Sequence, residues 1–390
     1  MRRALRVAGT VLLWLAVVLL LLPALLPPFL DRIYYRGPVS DHYNGARFFN
    51  PDGEFGTGGS QKRRPIGWMM RFMSGGGRTP WPKHVAVPPG YPAAAGTACP
   101  VTPNRARENW GRCVDHVDPT RMFATWVGHS TVLVQAGGIN ILTDPVWSER
   151  VGPFGVTGPK RVRNPGIRFD DLPKIDLILI SHDHYDHMDL ATLKRLWARD
   201  RPLIVTSLGN DTILRGVGVP AVAKDWGETV AVPRAKGAAG GPITVRIERV
   251  HHWGSRWMQD RNRALWSGFT VALPGGNLFY AGDTGFGDGS WPNDARKDGP
   301  FRLAIIPIGA FRPRNVMSGN HIGPEEAAEV FQRVGAAHAL AVHWGTFQLS
   351  EEGIDQPPMV LRQALGRRGI APGRFRAMEV GRNWEVPPLR

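Results

Sequence analysis

Leu179-Ile180-Ser181-His182-Asp183-His184-Tyr185-Asp186-His187 is the stretch that decides the reading of this chain, because an apolar strand candidate ends in three histidines and two aspartates within six residues. Imidazole and carboxylate are the donors that a borderline divalent cation such as zinc accepts. In extended backbone His182 and His184 project to the same side, so both can reach one cation. A turn toward the following helix, whose N-cap is Asp189, would aim Asp186 and His187 at a second. A solvated loop of satisfied histidines is the bland alternative, and H-x-H-x-D-H directly after a buried run is an unusual pattern for one.

A catalytic cation needs about three protein donors and an open position for water, so further donors are sought at the ends of other apolar runs. Strand candidates are Phe123 to Val134, Ile139 to Leu142, Leu177 to Ile180, Leu203 to Val205, Ile243 to Val250, Leu278 to Tyr280, Leu303 to Ile308 and Leu340 to Val342. The first two read as a hairpin across Gly137-Gly138. His251 and His252 follow one of these runs, Asp283 another and His343 a third. Each alone reads as a structural residue, but beside the first cluster they read as ligands. Helices fit over Leu190 to Ala198, Pro324 to Val334, with Gly335 as the stop, and Pro358 to Leu365. Strands in runs mixed with helices predict an α/β (α+β) domain of packed sheets with helices outside.

The 390 residues are 43% hydrophobic, enough for a substantial core, which excludes a disordered or fibrous chain. The 48 Lys+Arg against 33 Asp+Glu give a net charge of +15, which favours anionic neighbours such as phospholipid headgroups, although scattered basic residues also arise from an Arg-rich proteome. No aromatic-basic module for nucleic acid is evident. Val7 to Leu30, preceded by Arg2, Arg3 and Arg6, predicts an N-terminal transmembrane helix within residues 1–35, with a cleaved signal peptide as the rival. The rest would then lie outside the cytoplasm, facing the periplasm from the inner membrane if the chain is bacterial. Residues 36–118, rich in Gly and Pro, are expected to form an extended arm around a catalytic domain at 119–390, with Ile66 to Met73 as a short amphipathic piece. Cys99 and Cys113 can pair or remain free thiols, and neither has metal-type spacing.

Seven segments together resemble the metallo-β-lactamase superfamily and, within it, the N-acyl-phosphatidylethanolamine-hydrolysing phospholipase D group. They are Trp126-Val-Gly-His-Ser-Thr-Val-Leu-Val134, Leu142-Thr-Asp-Pro145, Gly158-Pro-Lys-Arg161, Ser181-His-Asp-His-Tyr-Asp-His187, Ala281-Gly-Asp-Thr-Gly285, Ile306-Pro-Ile-Gly309 and Ala341-Val-His-Trp-Gly-Thr-Phe347. The resemblance implies an αββα sandwich with two divalent cations, zinc being the expected metal. It assigns His182, His184 and His252 to one ion, and Asp186, His187 and His343 to the other, with Asp283 bridging. His252 is preferred over His251 because the family has its ligand directly before the residue that is Trp253 here. His321 matches a family position near the scissile phosphate and Tyr185 a substrate-contacting one, whereas a helix-flanking role is the plain alternative for His321.

On this resemblance a water activated by both ions cleaves a phosphodiester, with Asp283 and His321 catalytic and Tyr185 and His321 binding substrate. The substrate would be N-acyl-phosphatidylethanolamine or a related phospholipid, giving phosphatidic acid and an N-acylethanolamine. A same-fold hydrolase of a soluble ester or lactone is the alternative, and a non-catalytic metal- or lipid-binding protein is a third reading. Asp144 and His129 are candidates for orienting ligand imidazoles, or else a turn carboxylate and a core histidine.

Overall fold

The computed structural model describes residues 2–25, 32–53, 76–86, 116–233, 242–257 and 259–389. Fourteen strands form two seven-stranded sheets. The first, in the order β14-β1-β2-β3-β4-β5-β6, is built from β1 (Met122–Gly128), β2 (Thr131–Ala136), β3 (Ile139–Thr143), β4 (Leu177–Ile180), β5 (Leu203–Ser207), β6 (Val222–Lys224) and the late β14 (Asn383–Glu385). The second, in the order β13-β12-β11-β10-β9-β8-β7, contains β7 (Thr229–Val232), β8 (Ile243–Glu248), β9 (Gly268–Ala272), β10 (Asn277–Tyr280), β11 (Phe301–Pro307), β12 (His338–Val342) and β13 (Phe375–Arg376). Each sheet is antiparallel on one side and parallel on the other, β3 to β6 and β10 to β13 being the parallel halves.

The period of two along β4 shows how the layers are made. Leu177 and Leu179 enter the core between the sheets, while Ile178 and Ile180 join a second cluster. That second cluster lies under the amphipathic helices α2 (Leu190–Asp200) and α3 (Asn210–Arg215), through Leu193, Leu196 and Leu214. Asp189 caps α2 by accepting from Ala191 N and Thr192 N. On the other side α4 (Trp291–Ala295), α6 (Pro324–Val334) and α7 (Gln356–Arg367) cover the second sheet through Trp291, Phe331 and Leu361, and the short α5 (Arg314–Met317) precedes α6. The result is a mixed α/β sandwich of four layers. Burying the two β4 leucines alone contributes about 3–6 kcal/mol by transfer arithmetic, an upper bound.

The run expected as one strand from Phe123 to Val134 is split. His129 adopts φ 52 and the chain turns there, so β1 and β2 are themselves a hairpin.

The expected N-terminal membrane anchor is corrected. Helix α1 (Arg2–Leu25) is 24 residues long, but its stretch between Arg6 and Pro23 rises only roughly 25 Å against the ~30 Å of a hydrocarbon core. No helix among the described residues is long and apolar enough to cross a membrane. The placement outside the cytoplasm and the membrane contact that were inferred from this helix fall with it. Cys99, Cys113 and the Ile66 to Met73 piece lie outside the described residues.

Residues 32–53 and 76–86 lie against the sandwich. Tyr34 Oη donates to Asp260 Oδ2 at 2.8 Å, Phe48 N donates to Asn262 O at 2.8 Å and Trp81 Nε1 to Glu352 O at 2.8 Å.

Candidate metal centre

The centre forms where the C-terminal ends of β4, β10 and β12 meet the residues that follow β8. Two tight backbone approaches build it. Gly282, at φ 62, passes so close to Ser181 that a Cβ there would lie 2.7 Å from the serine Cβ. At Gly309 a Cβ would lie 1.9 Å from the His343 carbonyl oxygen, which explains the glycine of Ile306-Pro-Ile-Gly309. His343 itself holds φ 63 and donates its N–H to His129 O at 3.0 Å. Arg161, from Gly158-Pro-Lys-Arg161, pairs by a backbone bridge with Phe347 and lays its guanidinium 5.2 Å from that ring.

His182, His184 and His252 form one group of donors, with His182 Nε2 2.7 Å from His184 Nδ1 and the His252 ring 4.7 Å from that of His182. Asp186, His187 and His343 form a second together with His129. Asp283 stands between the groups: its Oδ2 is 2.9 Å from His343 Nε2, 3.2 Å from His187 Nε2 and 3.9 Å from His252 Nε2. All seven residues expected as ligands are thus brought together.

His251 points elsewhere, with its Nδ1 2.9 Å from Asp52 Oδ2. The His321 ring lies 5.2 Å from that of His252, and its Nδ1 is 3.7 Å from Asp283 Oδ2. Tyr185 is outside the cluster: its hydroxyl donates to Arg256 O at 2.6 Å and its ring faces the Arg256 guanidinium at 4.1 Å.

The outer hydrogen bonds select tautomers. Asp144 Oδ2 accepts from His187 Nδ1 at 2.6 Å, and Asn320 O accepts from His252 Nδ1 at 2.8 Å. In His252, held well below the usual histidine range, Nε2 is left with its lone pair, and in His187 the same outer bond leaves Nε2 as the atom facing Asp283. His129 Nε2 donates to Asp186 Oδ2 at 2.9 Å. Asp144 and His129 thus sit as orienting partners of cluster residues. Neither Tyr280, which donates to Asp144, nor Asp52 beside His251 was found from the sequence. Asp52 is separated from His251 by 199 positions and carries no local signal.

Fit to cations can be tested on the polar atoms themselves. The Nε2 atoms of His187, His252 and His343 and Oδ1 of Asp283 are buried without a hydrogen bond, an arrangement that is costly unless something positive joins it. Charge is arranged accordingly. Burial, with neighbouring imidazoles, holds His182 and His252 well below the usual histidine range and brings His184 down to about 4. Burial opposes the anionic forms of Asp186 and Asp283, yet the surrounding imidazoles, His187 first, outweigh it and hold both well below the usual carboxylate range. Burial works against charge on His187 and His343 as well, but Asp283 first and then Asp186 outweigh it, raising His187 well above the usual histidine range and His343 to about 9; a bound cation would take the place of those protons beside the ionised carboxylates, so the donor set fits.

Residues 139–344 match a family profile described as the beta-lactamase superfamily domain. The chain is 36% identical over 275 residues to N-acyl-phosphatidylethanolamine-hydrolyzing phospholipase D 1 of Caenorhabditis elegans, covering 68% of this chain and 76% of that protein. It is 31% identical over 303 residues to the mitochondrial N-acyl-phosphatidylethanolamine-hydrolyzing phospholipase D of Saccharomyces cerevisiae, covering 75% of this chain and 62% of the yeast protein. Among solved structures, a metallo hydrolase from the archaeon Ignicoccus hospitalis shares the fold, with a TM-score of 0.50 and 19% identity over 69% of this chain and 99% of that one. The chain therefore belongs to the metallo-β-lactamase superfamily, as a metal-dependent hydrolase with homologues among the N-acyl-phosphatidylethanolamine-hydrolysing phospholipases D.

Proposed function

We propose that this hydrolase cleaves a phosphodiester in an N-acyl-phosphatidylethanolamine or related phospholipid, releasing phosphatidic acid and an N-acylethanolamine. The observation that carries the reading is a groove of about 650 Å³ whose walls include Tyr185 and Met188, the chain neighbours of Asp186 and His187, although no member of the donor cluster itself lines it. Met188, Ile213, Val217 and Trp257 give it an apolar lining, and Arg150 and Lys194 add positive charge. Apolar walls with cations suit acyl chains joined to an anionic headgroup. The names of the worm and yeast relatives point to the same substrate class.

In this reading His182, His184 and His252 hold one ion, Asp186, His187 and His343 the other, and Asp283 both, with zinc suited to the donor set. Divalent ions held there would supply the activation of a water and the neutralisation of charge on the phosphoryl oxygens. Asp144 and Asn320 keep His187 and His252 in the ligating tautomer. His321, beside His252 and Asp283, would carry a proton to the departing oxygen. The Tyr185 hydroxyl is engaged with Arg256 O, so Tyr185 meets substrate through its ring. Of the arm expected at 36–118, the described residues 36–53 and 76–86 lie beside the unit that this reading takes as catalytic, 119–390.

The test is hydrolysis of mixed micelles containing N-acyl-phosphatidylethanolamine by the full chain, with Asp283→Ala as control and products identified by mass spectrometry. Phosphatidic acid and N-acylethanolamine, absent in the control, are the expected products. A metal-loaded protein that releases neither would move the search to soluble esters and lactones.

A further inference from the structure

A second cavity, of about 620 Å³, opens beside His252 and Trp253 and differs in chemistry from the apolar groove. Its walls include the amides of Asn44, Asn50, Asn262 and Asn320 and the guanidiniums of Arg47 and Arg261, and no carboxylate lines it among the described residues. One wall comes from residues 44–53, which the hydrogen bonds from Phe48 N to Asn262 O and from Arg47 to Arg261 O hold in place.

Asn50 distinguishes this cavity from a generic polar cleft. Its side chain is 8% exposed, and its Nδ2 donates to His252 O at 2.9 Å, on the backbone of a residue in the metal cluster. Its Oδ1 is buried and accepts no hydrogen bond. Two neighbouring amide oxygens are satisfied within the protein. Asn44 Oδ1 accepts from Ala46 N and Arg47 N, and Asn262 Oδ1 accepts from Gly254 N. A buried acceptor without a donor costs about 1–3 kcal/mol, and a bound O–H or N–H would relieve that cost.

We propose that this cavity receives the leaving-group side of the substrate, whose amide N–H is its one donor until cleavage frees the hydroxyl, and that Asn50 is a specificity-determining residue that accepts a hydrogen bond from that N–H. The inference rests on the phosphodiesterase reading and deepens it: the apolar groove takes the diacyl part, and the amide-lined cavity takes the alcohol that departs. A site built to accept a hydrogen bond discriminates against an analogue that lacks the donor, because the buried oxygen is then left unpaired. The arm segment thus contributes to substrate choice.

The test is binding of a soluble hydroxy-amide, N-butanoylethanolamine, against hexan-1-ol, measured calorimetrically with the metal-loaded full chain and with Asn50→Ala and Asn50→Asp. The wild-type protein is expected to bind the hydroxy-amide at least about tenfold more tightly, a preference worth about 1.4 kcal/mol. Asn50→Ala should lose that preference. Asn50→Asp keeps an acceptor oxygen but loses the N–H that serves His252 O, so it should retain the preference if Asn50 acts on ligand. Equal binding of the two alcohols by the wild type, or loss of preference in both variants with reduced metal content, would overturn the proposal, the latter showing a merely structural role. If the preference behaves as expected but no N-acylated phospholipid is hydrolysed, the cavity assignment stands and the lipid reading fails.

Discussion

In the proposed two-ion reading, replacing Asp144 with Asn should weaken one cation site and spare the other. Asp144 is fully buried, and its two oxygens accept four hydrogen bonds: Oδ1 from Ser181 N at 2.7 Å, and Oδ2 from Ser181 Oγ, Tyr280 Oη and His187 Nδ1. Asn keeps the size but has a single acceptor oxygen. In one orientation its NH2 group faces Ser181 N–H, and in the other it faces the His187 Nδ1 proton. Either arrangement sets donor against donor in a buried place. Losing one hydrogen bond to a charged acceptor costs about 1.5–3 kcal/mol, and losing an orienting partner of a ligating imidazole costs about 10–100-fold in metal affinity. The ion held by Asp186, His187 and His343 should therefore bind about 10–100-fold more weakly. The ion held by His182, His184 and His252 should change by less than about threefold, since its nearest tie to Asp144 runs through the Ser181 hydroxyl to His182 Nδ1. Competitive titration with a chromophoric chelator resolves the two steps. Equal weakening of both, or no change in either, would refute the argument that Asp144 acts through His187.

Two further outcomes follow from other buried carboxyls. Burial works against the ionised form of Asp52, but its hydrogen bond and charge interaction with His251 outweigh this and bring it down to about 2. A depressed carboxylate adds stability that is present above about pH 4 and is lost as the pH falls through about 2, so Asp52→Asn should cost about 1–2 kcal/mol at pH 7, after allowance for screening, and nothing near pH 2. Urea unfolding at several pH values checks this, and a pH-independent difference would count against it. Burial raises Glu248, on β8, to about 7, so the folded chain holds its proton. That contribution is full below about pH 4.5 and is lost as the pH rises through about 7. Glu248→Gln should thus gain on the wild type by about 2 kcal/mol between pH 5 and pH 8, and an unchanged difference between those pH values would sink the assignment.

The clustering of the candidate ligands was readable because its densest part is local, with His182 to His187 in one turn after one strand, and because each remaining member comes just after an apolar run. Helix α6 was readable from Pro324 and Gly335, which mark its ends chemically. Other features depend on contacts that a single segment does not carry. The turn at His129 has only Gly128-His129-Ser130 to mark it within a strand-like run, and it is set by tertiary bonds, Thr346 Oγ1 accepting from His129 N and His129 O accepting from Trp126 Nε1. β13 and β14 have two and three residues, too few for periodicity to register. The apolar N-terminal run gave the strongest misreading, since hydrophobicity alone does not report the usable length between Arg6 and Pro23.

The two sheets contribute unequal shares of the cluster: His182, His184, Asp186 and His187 follow a strand of the first, whereas His252, Asp283 and His343 follow strands of the second. Neither half alone offers a complete set of three donors and the shared Asp283. Cation uptake in the proposed reading therefore reports on maturation, because the ions can be captured only after the sheets have docked in register. At a free metal concentration a thousandfold above the dissociation constant, each ion would favour the docked form by about 4 kcal/mol. Metal supply then acts as a quality check on the newly made chain, and a copy that matures in its absence would present the same fold with a looser seam, the first place for a protease to enter.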